Sequence, residues 1–464
     1  MRIEMDSLGT FEVPDDAWYG AQTARAVRNF PISGRGPDPD FVDATVRIKL
    51  AAAAANRAAG WLDDARYQAI AAACRRILAG ELRDQFVVDR FQAGAGTSHH
   101  MNVNEVLANL ATVALGGEKG RYDPVHPNDH VNLGQSTNDV IPAAIRLTVL
   151  AKLPRLLAAI DAFVGALERV AAREAGTITT GRTHLQDAAP TTIGREFGAY
   201  AFALRRAAGR LTGHRAALSA LPLGGTAVGT GLNAAPGFAR DACEELSVLT
   251  GEAIAPAANT PALMHSMGDL AAFSGSIREL ALELTRVAND LRLLASGPRT
   301  GLNELSLPPV QPGSSAMPGK VNPVMLEMLN QVCYQVLGQD HAVALMAQAG
   351  QLEINVMMPA LGSALFDAMD WLTAAVRAAA EKGVAGITVD RAAALAHAER
   401  STGLATLLNR LVGYAAAAEV FKEAEATGRT IKEVAVARGL CTAAAFDDAL
   451  RAAALTGASP AKKD

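Results

Sequence analysis

The sequence predicts a mainly α protein organised around a long central helix bundle. Half of its 464 residues are hydrophobic, only 5% are aromatic, and alanine recurs in almost every stretch. Ala and Leu form helices at little entropic cost, so this composition favours closely packed helices over sheets. From about Val140 to residue 382, apolar-periodic segments follow one another with polar interruptions near 176–190, 221–236, 252–261 and 297–323. The clearest is 262–296. There Leu263, Met267, Leu270, Phe273, Ile277, Leu280, Leu284, Val287, Leu291 and Leu294 alternate spacings of three and four, a seam of the coiled-coil type.

Taken in order, residues 1–30 hold two short alternating runs, Arg2-Ile3-Glu4-Met5 and Thr10-Phe11-Glu12-Val13, on either side of Ser7-Leu8-Gly9, which predicts a small hairpin. Helical patterning starts near Asp40 and passes Arg75, with an alanine-rich face over 50–59, and polar glycine-containing stretches follow at 93–104 and 123–139. The 262–296 seam predicts one helix of about 50 Å at 1.5 Å per residue, ended by Gly297-Pro298. Apolar residues extend beyond one stripe, so neighbouring helices must sheathe it, some of them from other copies of the chain. Shorter helices resume near 390, and 456–464 reads as a frayed tail. The expected division is an N-terminal domain over 1–139, a central bundle over 140–390 carrying the loop 313–323, and a small C-terminal helical domain over 391–464.

The totals exclude several functions. Net charge is −4 with no basic cluster, so a nucleic-acid surface has no electrostatic support. No run reaches the ~18 apolar residues of a membrane span, and the opening Met-Arg-Ile-Glu-Met-Asp lacks the apolar core of a signal peptide. Cys74, Cys243, Cys333 and Cys441 lie far apart with no CxxC pair, as buried thiols of a reduced compartment would. A cytoplasmic protein is expected.

Chemistry concentrates in five polar islands. The richest is Gly313-Ser314-Ser315-Ala316-Met317-Pro318-Gly319-Lys320-Val321-Asn322-Pro323, and the others are 94–105, 126–139, 181–187 and 224–233. A phosphate-binding P-loop is excluded for the first, because Ser314 stands where its first glycine belongs and Val321 follows the lysine. The glycines of 224–233 lack the strand-to-helix setting of a dinucleotide site. His126 and His130, or His99 and His100, lack a third ligand at a supporting spacing, so no metal is expected. Ser136-Thr137-Asn138-Asp139 before an apolar run also reads as a plain helix N-cap. Together the islands offer many neutral hydroxyl and amide donors with Lys320 as a countercharge, a set suited to a small dicarboxylate.

These residues resemble a known family. The 313–323 loop is similar to the signature of the aspartase/class II fumarase superfamily, and Glu12-Val13-Pro14, Tyr19 to Thr23, Gly94 to Glu105, His126 to Asp139, Gly181 to Asp187 and Leu294 to Arg299 resemble it in order. The likeness implies a three-domain aspartase/fumarase-like fold and a homotetramer with active sites each shared by three subunits. It implies reversible anti-elimination from a succinate-type skeleton to fumarate, without a cofactor. By resemblance, Ser314 is the base, helped by Lys320 and loop N–H groups, and His184 pairs with Glu327. Thr97, Ser136, Thr137, Asn138, Thr183, Ser315, Lys320 and Asn322 are the implied substrate contacts, and His126 and Asn128 resemble a secondary anion site of fumarases.

The segments Arg2-Ile3-Glu4, Ala93 to Ser98, Gln135 to Asp139 and Ala349 to Met357 lean toward the aspartase branch, which releases ammonia from L-aspartate. Ala21-Gln22-Thr23 and Gly224 to Val228 fit the fumarase branch equally well, leaving malate/fumarate hydration as the alternative. A third reading, a non-catalytic relative that keeps the fold, is disfavoured by the intact Ser314, Lys320, Asn322 and His184. Three positions depart from the family pattern: His100 where Asn is usual, Gly134 for a larger residue and Met358 for a charged one.

Overall fold

A computed structural model describes residues 1–457. The expected hairpin is present as β1 (Arg2–Asp6) and β2 (Gly9–Val13), paired antiparallel with Arg2 opposite Val13. The helices that follow are α1 (Ala21–Asn29), α2 (Pro39–Ala58), α3 (Asp64–Leu78), α4 (Thr97–Ala114) and α5 (Thr137–Arg173). Local chemistry sets their starts. Asp38 accepts from the Asp40 N–H at 2.9 Å with Pro39 in the first turn of α2, and Asp63 accepts from the Arg66 N–H to begin α3.

After α5 come β3 (Ile178–Thr183) and β4 (Gln186–Thr192), then α6 (Ile193–Gly213), α7 (Arg215–Leu218), α8 (Phe238–Thr250), α9 (Thr260–His265) and α10 (Gly268–Leu294). The chain continues through α11 (Val324–Ala347), α12 (Met358–Ala379), α13 (Arg391–Arg400), α14 (Ala405–Val412), α15 (Tyr414–Thr427), α16 (Ile431–Ala437) and α17 (Ala443–Thr456). Of the tail expected over 456–464, Thr456 closes α17 and residues 458–464 lie outside the described part.

Two expectations are corrected. The 262–296 seam is not one helix. Asn259 caps α9 with Pro261 in its first turn, and Ser266 is extended (φ −92°, ψ 123°), so α10 restarts at Gly268. Its 27 residues span about 40 Å. The longest helix is instead α5 with 37 residues, whose Pro142 and Pro154 interrupt the apolar signal. The segment near 176–190 is a β-hairpin rather than a loop, since Ile178, Thr179 and Thr180 are β-branched and Thr183 pairs with Gln186.

The chain divides into two compact units. The first comprises Met1–Leu157, Gly209–Glu279 and Tyr334–Leu372; the second comprises Ala158–Ala208, Leu280–Cys333 and Thr373 onward. Each division falls inside a helix, α5, α6, α10, α11 or α12. In the first unit α2, α3 and α4 bury Val46, Leu50, Ile70, Cys74, Ile77, Val103, Val106 and Leu107 in one cluster, each large aliphatic contributing about 1.5–3 kcal/mol of burial. Arg146 is fully buried and forks onto Asp269 at 2.9 and 3.0 Å. Lys152 meets Asp38, Asp40 and Asp370 at 2.9, 2.9 and 2.7 Å, tying α2, α5 and α12 together. In the second unit Leu404, Leu408, Val420, Ile431, Val434, Phe446 and Leu450 form the core of the C-terminal helices.

Candidate active site

Four of the predicted substrate contacts lie at helix starts in the first unit. Ala95 (φ 61°) and Gly96 (φ 88°) turn the chain sharply into α4, which leaves Thr97 exposed at its first position. A side chain at Gly96 would be crowded, its Cβ 3.1 Å from Ile141, and strained by the positive φ. Ser136, Thr137 and Asn138 open α5 and are half-buried. The N-cap reading of this segment holds as well. Asp139 accepts from the Ser136 N–H at 2.9 Å through one oxygen, and from the Gly224 and Thr226 N–H groups at 3.0 Å through the other.

The 136–139 and 224–233 islands are therefore brought together, and the Asn138 amide adds a 2.8 Å bond to the Ala227 carbonyl. Burial pushes the Asp139 carboxyl up to about 6, against the pull of its backbone donors and Lys49. A row of backbone N–H groups and hydroxyls at a helix N-terminus suits a carboxylate.

The remaining predicted residues belong to the second unit. The loop 313–323 closes on itself: the Gly313 N–H donates to the Lys320 carbonyl at 2.8 Å, and the Asn322 amide donates to the Gly313 carbonyl at 2.7 Å. One donor of Asn322 thus holds the loop's neck. Gly313 is required there, since a Cβ would stand 2.5 Å from the Lys320 carbonyl oxygen. Inside the loop the Ala316 and Met317 N–H groups both donate to Ser314 Oγ, at 3.1 and 3.0 Å. Ser315 and Lys320 are exposed. Glu327 lies in the first turn of α11, half-buried.

Thr183 and His184 lie at the tip of the β3–β4 hairpin. His184 and Leu185 form its two-residue turn with φ of 56° and 59°, the backbone of a tight primed turn. Both are exposed, Leu185 at 73%. Among the described residues no hydrogen bond or ion pair joins His184 to Glu327. The root of the hairpin is held firmly: Glu304, fully buried, accepts from Thr179 at 2.8 Å and Arg182 at 2.5 Å, and its carboxylate lies 2.8 Å from His397 Nδ1.

The sequence passed over Lys49 and left open what Glu105, His99 and His126 touch. Lys49 reads as one cation in an alanine-rich helix, yet it is fully buried, 2.6 Å from His100 Nε2 and 2.9 Å from both Asn132 Oδ1 and Gln135 Oε1. Burial pulls its ammonium down to about 7, while Asp139 opposes the shift. Glu105 is buried and receives the Gly20, Gln22 and Thr23 N–H groups and the Thr23 hydroxyl at 2.6–3.1 Å. His99 stacks on Phe41 at 4.3 Å. His126 Nδ1 accepts from the Asn128 and Asp129 N–H groups at 3.3 Å. Among the described residues no group of three or more His, Cys, Asp or Glu stands close enough to hold a metal ion.

Comparison with known proteins gives the class, a lyase. The family described as "Lyase" matches residues 9–338, and that described as "Fumarase C C-terminus" matches residues 404–457. The aspartate ammonia-lyase of Pseudomonas aeruginosa is 46% identical over 97% of this chain and 95% of its own, and that of Escherichia coli is 42% identical over 97% and 94%. Among solved structures, a fumarate lyase:delta crystallin from Brucella melitensis bound to cobalt superimposes with a TM-score of 0.94 at 46% identity, covering 97% of this chain and 98% of that one. A class II fumarase from Schistosoma mansoni also gives 0.94, at 34% identity over 98% and 99%. The chain belongs to the aspartase/class II fumarase superfamily of lyases.

Proposed function

We propose that this protein eliminates ammonia from L-aspartate to give fumarate, reversibly, with Ser314 as the base. The observation that carries the assignment of the base is the geometry of Ser314 Oγ, which accepts two loop N–H groups at 3.0 and 3.1 Å. A neutral serine is a poor base. Two donors aimed at its oxygen, with the Lys320 ammonium in the same loop, favour the alkoxide form. The alkoxide takes the proton from the carbon beside the distal carboxylate, leaving a dianionic aci-carboxylate. Its electron pair then forms the double bond as the carbon–nitrogen bond breaks. Ammonia leaves and collects the proton released by serine. Thr97, Ser136, Thr137, Asn138, Thr183, Ser315 and Asn322 supply donors that tighten on the carboxylate as charge builds there.

The choice of L-aspartate is supported by the 42–46% identity, over almost the whole chain, to aspartate ammonia-lyases. His184 is what a hydratase would use to handle water, so malate is the competing substrate. Following fumarate's ultraviolet absorbance with each substrate separates the two: turnover of L-aspartate is expected, and turnover of L-malate alone overturns the reading.

The same reading makes the enzyme a cytoplasmic homotetramer whose sites each draw on three subunits, and keeps the three-part division at 139/140 and 390/391. Among the described residues no helix is long and apolar enough to cross a membrane. Large apolar side chains left exposed on the long helices, Phe202, Leu282, Leu293, Tyr334 and Leu345, support a bundle completed by other copies.

A further inference from the structure

Behind the start of α5 lies a buried chain of polar groups that the proposed reaction does not use. The Lys49 ammonium has three hydrogens, and three acceptors surround it: His100 Nε2, Asn132 Oδ1 and Gln135 Oε1. The two amides are oriented by their other ends, with Asn132 Nδ2 donating to the Gln135 carbonyl and Gln135 Nε2 to the Val131 and Leu133 carbonyls. In its protonated form, which predominates below about pH 7, Lys49 only donates, so His100 Nε2 then accepts. The ring is 1% exposed, and burial together with Lys49 holds its pKa well below the ordinary histidine value. A neutral imidazole that accepts at Nε2 carries its hydrogen on Nδ1. That nitrogen stands 2.7 Å from Thr137 Oγ1, and so donates to it.

We propose that His100 is a positioning residue that fixes the Thr137 hydroxyl as a hydrogen-bond donor toward the carboxylate of the bound dicarboxylate. The proposal rests on the reading that Thr137 touches substrate. A threonine hydroxyl has one hydrogen and two lone pairs, and rotates to suit its neighbours. With one lone pair occupied by Nδ1–H, the hydroxyl cannot turn its hydrogen back onto the ring. The hydrogen is left for an acceptor at the start of α5, where the helix dipole also favours negative charge. The Lys49–His100–Thr137 chain thereby turns an ambivalent hydroxyl into a fixed donor, matched to a group that only accepts.

The test compares kcat and KM for L-aspartate and the inhibition constant of succinate in the assembled enzyme. In His100→Gln the amide reaches the position of Nε2 and still accepts from Lys49, but places no donor beside Thr137. Loss of one such bond is expected to raise KM and the succinate constant by about 3–10-fold, with a smaller change in kcat. His100→Asn places an amide N–H near the position of Nδ1 and is expected to recover most of that loss. Thr137→Val is expected to raise both constants, and His100→Gln should then add nothing in that background.

If Thr137→Val raises the constants but His100→Gln does not, or if the two losses simply add, the role of His100 is overturned while Thr137 keeps its own. If Thr137→Val leaves both unchanged, the assignment of Thr137 to substrate fails and this proposal with it. Should the glutamine variant not assemble, 15N spectra of the histidine-labelled wild-type enzyme, with His100→Asn marking the signal, report the tautomer directly. Hydrogen on Nδ1 is expected, and hydrogen on Nε2 overturns the proposal.

Discussion

Ser314 is the residue on which the proposed chemistry turns, and its setting is local. Its oxygen is held by N–H groups two and three positions along the same loop, so the arrangement needs no distant part of the chain to form. Ser314→Ala removes the base and leaves the loop's neck, made by Gly313, Lys320 and Asn322, untouched. Turnover is expected to fall by about 10³-fold or more with the oligomer unchanged by sedimentation; retained activity would take Ser314 out of its role. This residue was legible because glycines, hydroxyls and a cation crowd into eleven positions. Lys49 was not legible. A single lysine among alanines has the appearance of a solvent-facing side chain, and only the packing of α2 against its neighbours makes it a buried charge with three acceptors.

Among the elements, α1 and α5 depend on charges that arrive from elsewhere. Gly20 offers no side chain to cap α1; Glu105 from α4 takes the Gly20, Gln22 and Thr23 N–H groups instead, and Glu4 takes that of Ala21. Glu105→Ala leaves its donors buried and unpaired, which costs about 2–4 kcal/mol, measurable as a lowered denaturation midpoint. At the far end of α5, burial alone would raise the Glu174 carboxyl, but hydrogen bonds from Arg391, Arg173 and Thr177 hold it down to about 2. A folded value below the ordinary 4.5 means that its stabilisation is complete above about pH 4.5 and is lost as pH falls toward 2. Thermal melts of wild type and Glu174→Gln should therefore differ at pH 7 and converge as acid is added; a constant difference would contradict the linkage. Hairpin β1–β2 was readable from neighbours in sequence, whereas the caps at Asp38 and Asp63 that split 39–78 into two helices came from the structure. The break at Ser266 was not readable either, because its apolar spacing continues across it.

For the whole molecule, the exposed hairpin tip and the exposed apolar residues of α6, α10 and α11 carry the expectation of assembly. A lone chain would leave Leu185, Phe202, Leu282 and Tyr334 in water, and such surfaces mark interfaces. Sedimentation should give about four times the 48.2 kDa chain. Turnover should disappear under dilution or denaturant that yields monomers, and a fully active monomer would sink the shared site.

By itself the sequence determined the helical class, the hairpin at the N-terminus, the serine loop and the likeness to the lyase family, because each is written in residues close together along the chain. Tertiary structure alone decided which polar residues are buried and what they touch. Asp139 reaches Gly224 and Thr226, Glu304 gathers Thr179, Arg182 and His397, and Lys49 faces His100. The reason is physical: helix and turn preferences act over a few residues, whereas burial of a charge and the partners that compensate it follow from how separate helices pack.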